Sequence, residues 1–160
     1  MAFWTSFIES IKLPKKKSVF KLNRIGMDIV VIYMFMLLAI VSLPSLTYQM
    51  LNSSELNIKI GSFFYLIYFF IFHYLVIVVL IFIVISFIAY LATLFTRISG
   101  RRLHYSILWK MTAFSTTIPF LLYTILAFFY NINDNFLWLS FLYTAILLYK
   151  IITIYPKRKK

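Results

Sequence analysis

The sequence predicts an all-α integral membrane protein, a four-helix bundle preceded by an amphipathic helix lying in the inner interface. Three observations predict it. First, 63% of the 160 residues are apolar and the mean hydropathy is +0.94. A water-soluble fold of this size has no interior large enough for that, whereas lipid accepts it. Second, Ser62 to Thr96 is a run of 35 residues with no charged residue, Gly or Pro. Third, fifteen of the sixteen Lys and Arg residues fall in three clusters (12–24, 97–110 and 150–160), with Lys59 alone outside them. A bilayer protein keeps its cationic loops on the cytoplasmic side. Three inside clusters separated by two excursions give four crossings with both termini in the cytoplasm.

The elements follow in chain order as a single membrane domain, residues 1–160. Residues 2–13 place Phe3, Phe7, Ile8 and Ile11 on one helical face with Trp4 beside it, and Thr5, Glu9 and Lys12 pointing away. A segment this short cannot cross, so it reads as an interfacial helix that Pro14 ends. Its positive charge follows the apolar part, the reverse of a secretory signal. Span one is predicted over 25–48, an uncleaved signal anchor that Pro44 bends or terminates near its outer end. Residues 49–61 form a short outer loop.

Within the uncharged run, one crossing needs roughly 20 residues and two need roughly 40 plus a turn. The reading is one crossing over 74–96. The aromatic piece before it, 62–73, is an outer-interface segment or a helical extension of span two. A re-entrant dip is the less economical alternative, because it strands backbone groups in lipid unless other spans cover them. Gly100 is placed as the cap ending span two, in the inner loop RISGRRLHYS. Span three is predicted over 107–130. The turn NINDN makes it a tight hairpin with span four, 136–155, and Pro156 stops the last helix at the surface.

Composition excludes several kinds of chemistry. There is no Cys, so disulfides, thiolate metal sites and thiol nucleophiles are ruled out. The three glycines, Gly26, Gly61 and Gly100, are too dispersed to form a phosphate-cradling loop. The net charge of +12 flanks membrane spans instead of forming one face of a soluble domain. That pattern points away from nucleic acid and toward the anionic phospholipids of the inner leaflet.

Catalytic or metal-binding constellations are not evident. The acidic residues are Glu9, Asp28, Glu55 and Asp134, and no two share a span. His73 and His104 fall near opposite faces of the membrane under this topology, which argues against a shared metal site. No catalytic, cofactor-binding or metal-binding residue is assigned, no cofactor is expected, and an enzyme is not expected.

The candidate structural and functional residues are of three kinds. Asp28 sits about one turn inside span one, where a lipid-facing carboxylate demands a partner. Arg24 is the local option and Lys150, equally shallow in span four, the tertiary one. The hypothesis is an Asp28–Lys150 pair tying spans one and four together; helix-dipole and headgroup contacts are the simpler alternative. Thr112, Thr116, Pro119 and Tyr123 lie on one face of span three, with smaller hydroxyl rows at Ser86, Tyr90 and Thr93, and at Ser140 and Thr144. Such rows read either as a polar path for a substrate or as hydroxyl-mediated helix packing, and packing is favoured because no charge lies at the midplane. Arg97, Arg101 and Arg102 form the cationic inner loop.

Three stretches then resemble a known family: FIESIKLPKKKSVFKLNRIG, SGRRLHYSILWKMTAFSTTIPFLLYTIL, and Lys150 followed by YPKRKK. The chain is similar to an uncharacterised membrane family of Gram-positive bacteria, domain of unknown function 1189, over roughly residues 1–48 and 75–160. Some members are named maltodextrin-utilisation proteins from their gene neighbourhood. Members usually carry a sizeable extracytoplasmic region between the first two spans, which here is reduced to about 49–61. The resemblance implies a membrane frame and supplies no catalytic residues.

The expected role is a non-enzymatic accessory or scaffold subunit of a transport or cell-envelope complex in the bacterial plasma membrane, binding another membrane protein. Two alternatives are a small transporter, channel or lipid-moving protein, and an immunity protein against membrane-active peptides. Oligomeric state is not legible from the sequence.

Overall fold

The computed structural model describes residues 2–52, 62–101, 103–130 and 135–156. Most of the outer loop, Arg102, most of the NINDN turn and the last four residues lie outside them. Among the described residues every regular element is helical. In chain order these are α1 (Ala2–Ile11), α2 (Lys16–Asn23), α3 (Met27–Asn52), α4 (Ser62–Phe69), a π-helical turn (Phe70–Tyr74), α5 (Leu75–Ile98), α6 (Tyr105–Ser115), α7 (Thr117–Phe129) and α8 (Asn135–Ile154). Three stretches are long and apolar enough to cross a membrane: Met27–Leu51, Phe63–Ile98 and Tyr105–Phe129. Trp138–Ile154 is a shorter apolar helix. The protein is an all-α, membrane-type bundle.

The core follows from helical periodicity. In α3 the buried positions include Val30, Tyr33, Met34, Leu37 and Leu38, and in α8 they are Thr144, Leu147, Leu148, Ile151 and Ile152. Both sets repeat at i, i+3, i+4, i+7 and i+8, one stripe per helix. Helix α6 is different, since every residue from Leu108 to Ser115 is buried. It is the central element, packed by α1, α2, α3, α5, α7 and α8. The other flanks of α3, α5 and α8 present large apolar side chains outward, among them Ile32, Phe87, Leu139 and Leu142. That is the surface expected where lipid is the solvent.

Both prolines within the long helices act locally. Pro44 is expected to bend or end span one; it does not end it, since α3 continues through it to Asn52. A proline removes one backbone hydrogen bond. Beyond it, Ser45 and Gln49 are held by side chains of the facing helix, so the last two turns persist. Pro119 falls in the first turn of α7, where a missing N–H leaves no intrahelical bond unmade. The break sits just before it, at Thr116, which accepts from the Phe120 N–H at 3.0 Å. Span three is thus two stacked helices. Residues 62–73 are helical and lead through the π turn into α5.

Gly100 adopts φ +67°, a left-handed conformation that favours glycine. The Arg101 N–H bonds the Thr96 carbonyl at 2.9 Å and the Gly100 N–H bonds the Arg97 carbonyl at 3.2 Å. This Schellman arrangement closes α5 and directs the chain toward the end of α8.

Candidate functional site

The polar chemistry collects where the N-terminal hairpin, the α5–α6 loop and the end of α8 meet. Helix α1 packs against α3, α6 and α7, and α2 packs against α6 and α8. The face of α1 turned to the bundle carries Ser6, Glu9 and Ser10, with Leu13 buried just beyond the helix, while Trp4, Ile8 and Ile11 point outward. The expected amphipathic helix is present, but Glu9 does not point away to water. It is buried, accepting from Ser18 Oγ at 2.6 Å and from Lys21 Nζ at 2.7 Å. The hydrogen bond from Lys21, then that from Ser18, holds its carboxyl below the ordinary value, against the opposing effect of burial. The sequence signal for this pairing was weak, because Glu9 and Lys21 lie twelve apart across a turn. Only the apposition of α1 and α2 brings them together.

Above this pair a buried hydroxyl string crosses three helices. The Tyr33 hydroxyl lies 2.7 Å from Thr117 Oγ1 and 3.3 Å from Ser10 Oγ. Ser10 also donates to the Ser6 carbonyl. Tyr33 is fully buried and packs against Phe3 and Phe114 with ring centroids 5.4 Å away in each case. One side chain of α3 therefore fixes both α1 and α7.

Two cations from the α5–α6 region serve as caps for other helices. Lys110, only 9% exposed, donates from Nζ to the carbonyls of Asn23 at 2.7 Å and Ile25 at 3.0 Å. Arg101 donates from Nη1 to the carbonyls of Ile152 and Tyr155. The last carbonyls of a helix have no intrahelical donor and carry the negative end of its dipole. Lys110 thus closes the end of α2, and Arg101 closes the end of α8. Sequence reading placed both simply among the inner-face cations.

The proposed tie between spans one and four is not formed. Asp28 and Lys150 are both exposed. The ion pair found among the described residues is Lys21–Glu9. The reason is positional: α3 packs on α6 and α7, whereas α8 packs on α5, α6 and α7, so α6 stands between them. Asp28 instead folds over Gly26, where an added Cβ would lie 2.3 Å from its Oδ1. Arg97 is exposed in the last turn of α5, and Arg102 lies outside the described residues.

The hydroxyl rows turn inward on their own helices. Thr112 donates to Leu108 at 2.8 Å, Ser115 to Met111 at 2.7 Å, Thr116 to Ala113 at 2.8 Å and Thr93 to Ala89 at 2.7 Å. Pro119 is buried with them, and Tyr123 stacks on Phe136 at 5.8 Å. Thr112, Thr116 and Pro119 share the core face of span three. Trp109 makes a bond between helices, from Nε1 to Ser86 Oγ at 3.1 Å.

At the opposite end, His73 in the π turn lies 2.9 Å from Ser45 Oγ, which also accepts from Gln49 at 3.1 Å; Tyr65 completes the cluster by donating to Gln49 at 3.3 Å. This network fastens the end of α3 beyond Pro44 to the α4 side. No group of three or more metal-ligating side chains occurs among the described residues.

A family model described as "Protein of unknown function (DUF1189)" matches residues 46–152. The matched stretch runs from the C-terminal end of α3 almost to the end of α8, and leaves out the α1–α2 hairpin. No curated protein and no solved structure matches the chain.

Proposed function

We propose that this chain, which belongs to the DUF1189 family, is a non-enzymatic scaffold of the bacterial plasma membrane, an accessory subunit of a transport or cell-envelope complex. It crosses the membrane four times and keeps both ends in the cytoplasm. The observation that carries this reading is how its polar groups are spent. Glu9, Tyr33, Arg101 and Lys110 all bind other parts of the same chain. The hydroxyls of Thr112, Ser115 and Thr116 are taken up by their own backbones. What faces outward is overwhelmingly apolar, a surface for lipid and for other membrane helices. The orientation is supported by the three cationic clusters.

Crosslinking in native membranes followed by affinity isolation tests the role. The expected result is a defined membrane-protein partner recovered in stoichiometric amount. Purified protein that carries ions or labelled lipid across liposomes with no partner present overturns it. Topology is read separately with single cysteines at His104→Cys and Arg158→Cys, which should resist an impermeant reagent applied to intact cells.

A further inference from the structure

A groove of about 340 Å³ lies between α5 and α8, lined by Ile88, Ala92 and Phe95 on one side and Phe141, Ala145 and Ile152 on the other. From Phe141 to Ile152 is about 16 Å along a helix axis. That matches roughly half the hydrocarbon thickness of a bilayer, one leaflet. Spread over that length, the volume gives a mean cross-section of about 20 Å², the girth of one extended hydrocarbon chain. A groove of this length and width, lined by apolar side chains, suits an acyl chain.

The end of the groove at Ile152 carries a fixed positive charge. Arg101 Nη1 is anchored on the carbonyls of Ile152 and Tyr155. A guanidinium has five N–H donors, and among the described residues only those on Nη1 are engaged, which leaves Nε and Nη2 for another acceptor. Residues 75–101 and 135–160 contain no Asp or Glu, so no carboxylate from these segments competes for them.

We propose that this groove is a binding site for an anionic phospholipid of the inner leaflet, one acyl chain between α5 and α8 and the phosphate on Arg101. The assignment rests on the membrane orientation given above. The test uses the full chain purified from vesicles of equal phosphatidylglycerol and phosphatidylcholine, with retained lipid counted by native mass spectrometry. Phosphatidylglycerol should be enriched by at least about fivefold, with one well-placed cation supplying about that factor beyond the other cations of the chain. In Arg101→Gln the enrichment should fall about fivefold from the wild-type value. Because Arg101 also holds the end of α8, a second variant, Ala145→Phe, fills the groove from an exposed position and should lose bound lipid of both kinds while keeping the wild-type melting temperature. A wild type with no headgroup preference, a folded Ala145→Phe protein that retains lipid undiminished, or a protein chain recovered in place of lipid each overturns the proposal. Outside labelling of His104→Cys would instead remove the orientation beneath it, a failure distinguishable from any result in purified protein.

Discussion

Lys110 gives the sharpest test of how the N-terminal hairpin is held. Replacing it with Met keeps most of the apolar stem and removes the ammonium. The carbonyls of Asn23 and Ile25, now bonded at 2.7 and 3.0 Å, lose their donor under a helix that leaves little room for water. Hydrogen bonds from a charged group contribute about 1.5–3 kcal/mol each. At the low end the two sum to about 3 kcal/mol. The burial cost that the lysine no longer bears returns part of this, leaving about 2 kcal/mol of destabilisation. For a chain of this size that corresponds to a melting temperature lower by about 4–8 °C. Amides of α2 should exchange up to about thirtyfold faster if that loss falls on local opening. Thermal unfolding in detergent and hydrogen exchange resolved by peptide measure the two effects. Lys150→Met is the control, because that lysine is exposed and should be silent in both assays. A Lys110→Met protein with unchanged melting and unchanged α2 exchange, or one no worse than the control, refutes the capping argument.

The Glu9 pair should appear as a pH dependence. Its carboxyl titrates below the ordinary 4.5 in the folded chain. Its stabilisation is therefore complete above the unfolded value and is lost as the pH falls through the lower folded one. Melting curves between about pH 6 and 3 should show an acid-side decline in the wild type that Glu9→Gln lacks, and the difference should shrink with added salt because Lys21 is half-exposed. Parallel curves for the two proteins count against the pair. Tyr33→Phe keeps the ring contacts but loses the bonds to Thr117 and Ser10, so stability should drop by about 1–2 kcal/mol, with faster exchange in α1. Unaltered α1 protection would mean that the hydroxyl string does not dock the helix.

What the sequence could disclose was set by periodicity and composition. The apolar runs mark where helices long enough to cross occur, because hydrophobic length is a property of consecutive residues. Gly100 was legible as a cap for the same local reason, since a glycine after a long helix announces a left-handed turn. The meetings of polar groups were not legible. Glu9 sits on the polar side of a short amphipathic helix, and the simplest inference sends that side to water. It fails because α2 folds back and supplies Ser18 and Lys21. Asp28 looked like the buried carboxylate needing a partner, but it lies at the exposed start of α3. Lys110 and Arg101 were read as headgroup cations because charge clusters report topology, not individual contacts. One positional hint did exist for Arg101. It directly follows the glycine that turns the chain, where a side chain is thrown sideways instead of along the helix.

The two capping cations lie nine residues apart, Arg101 in the turn between α5 and α6 and Lys110 within α6. One holds the end of α8 and the other holds the connector after α2. The turn and α6 therefore hold both the N-terminal hairpin and the end of α8 to the central helix, which is buried from Leu108 to Ser115. A protein built to pass a polar solute would need donors and acceptors aimed into a continuous cavity. Here the hydroxyls of Thr112, Ser115 and Thr116 are satisfied three or four residues back along their own helices, and that of Thr117 by Tyr33. The groove between α5 and α8 is lined mainly by aliphatic and aromatic side chains. Arg101 sits beside its Ile152 end, bonded to the Ile152 carbonyl, and also fastens the last helix. A bound phosphate at that position would share Arg101 with the carbonyls of Ile152 and Tyr155, so lipid occupancy and the seating of the C-terminus are coupled through one side chain. One guanidinium thus joins the α5–α6 turn to the last helix, while the flanks of α3, α5 and α8 turned away from the core stay apolar.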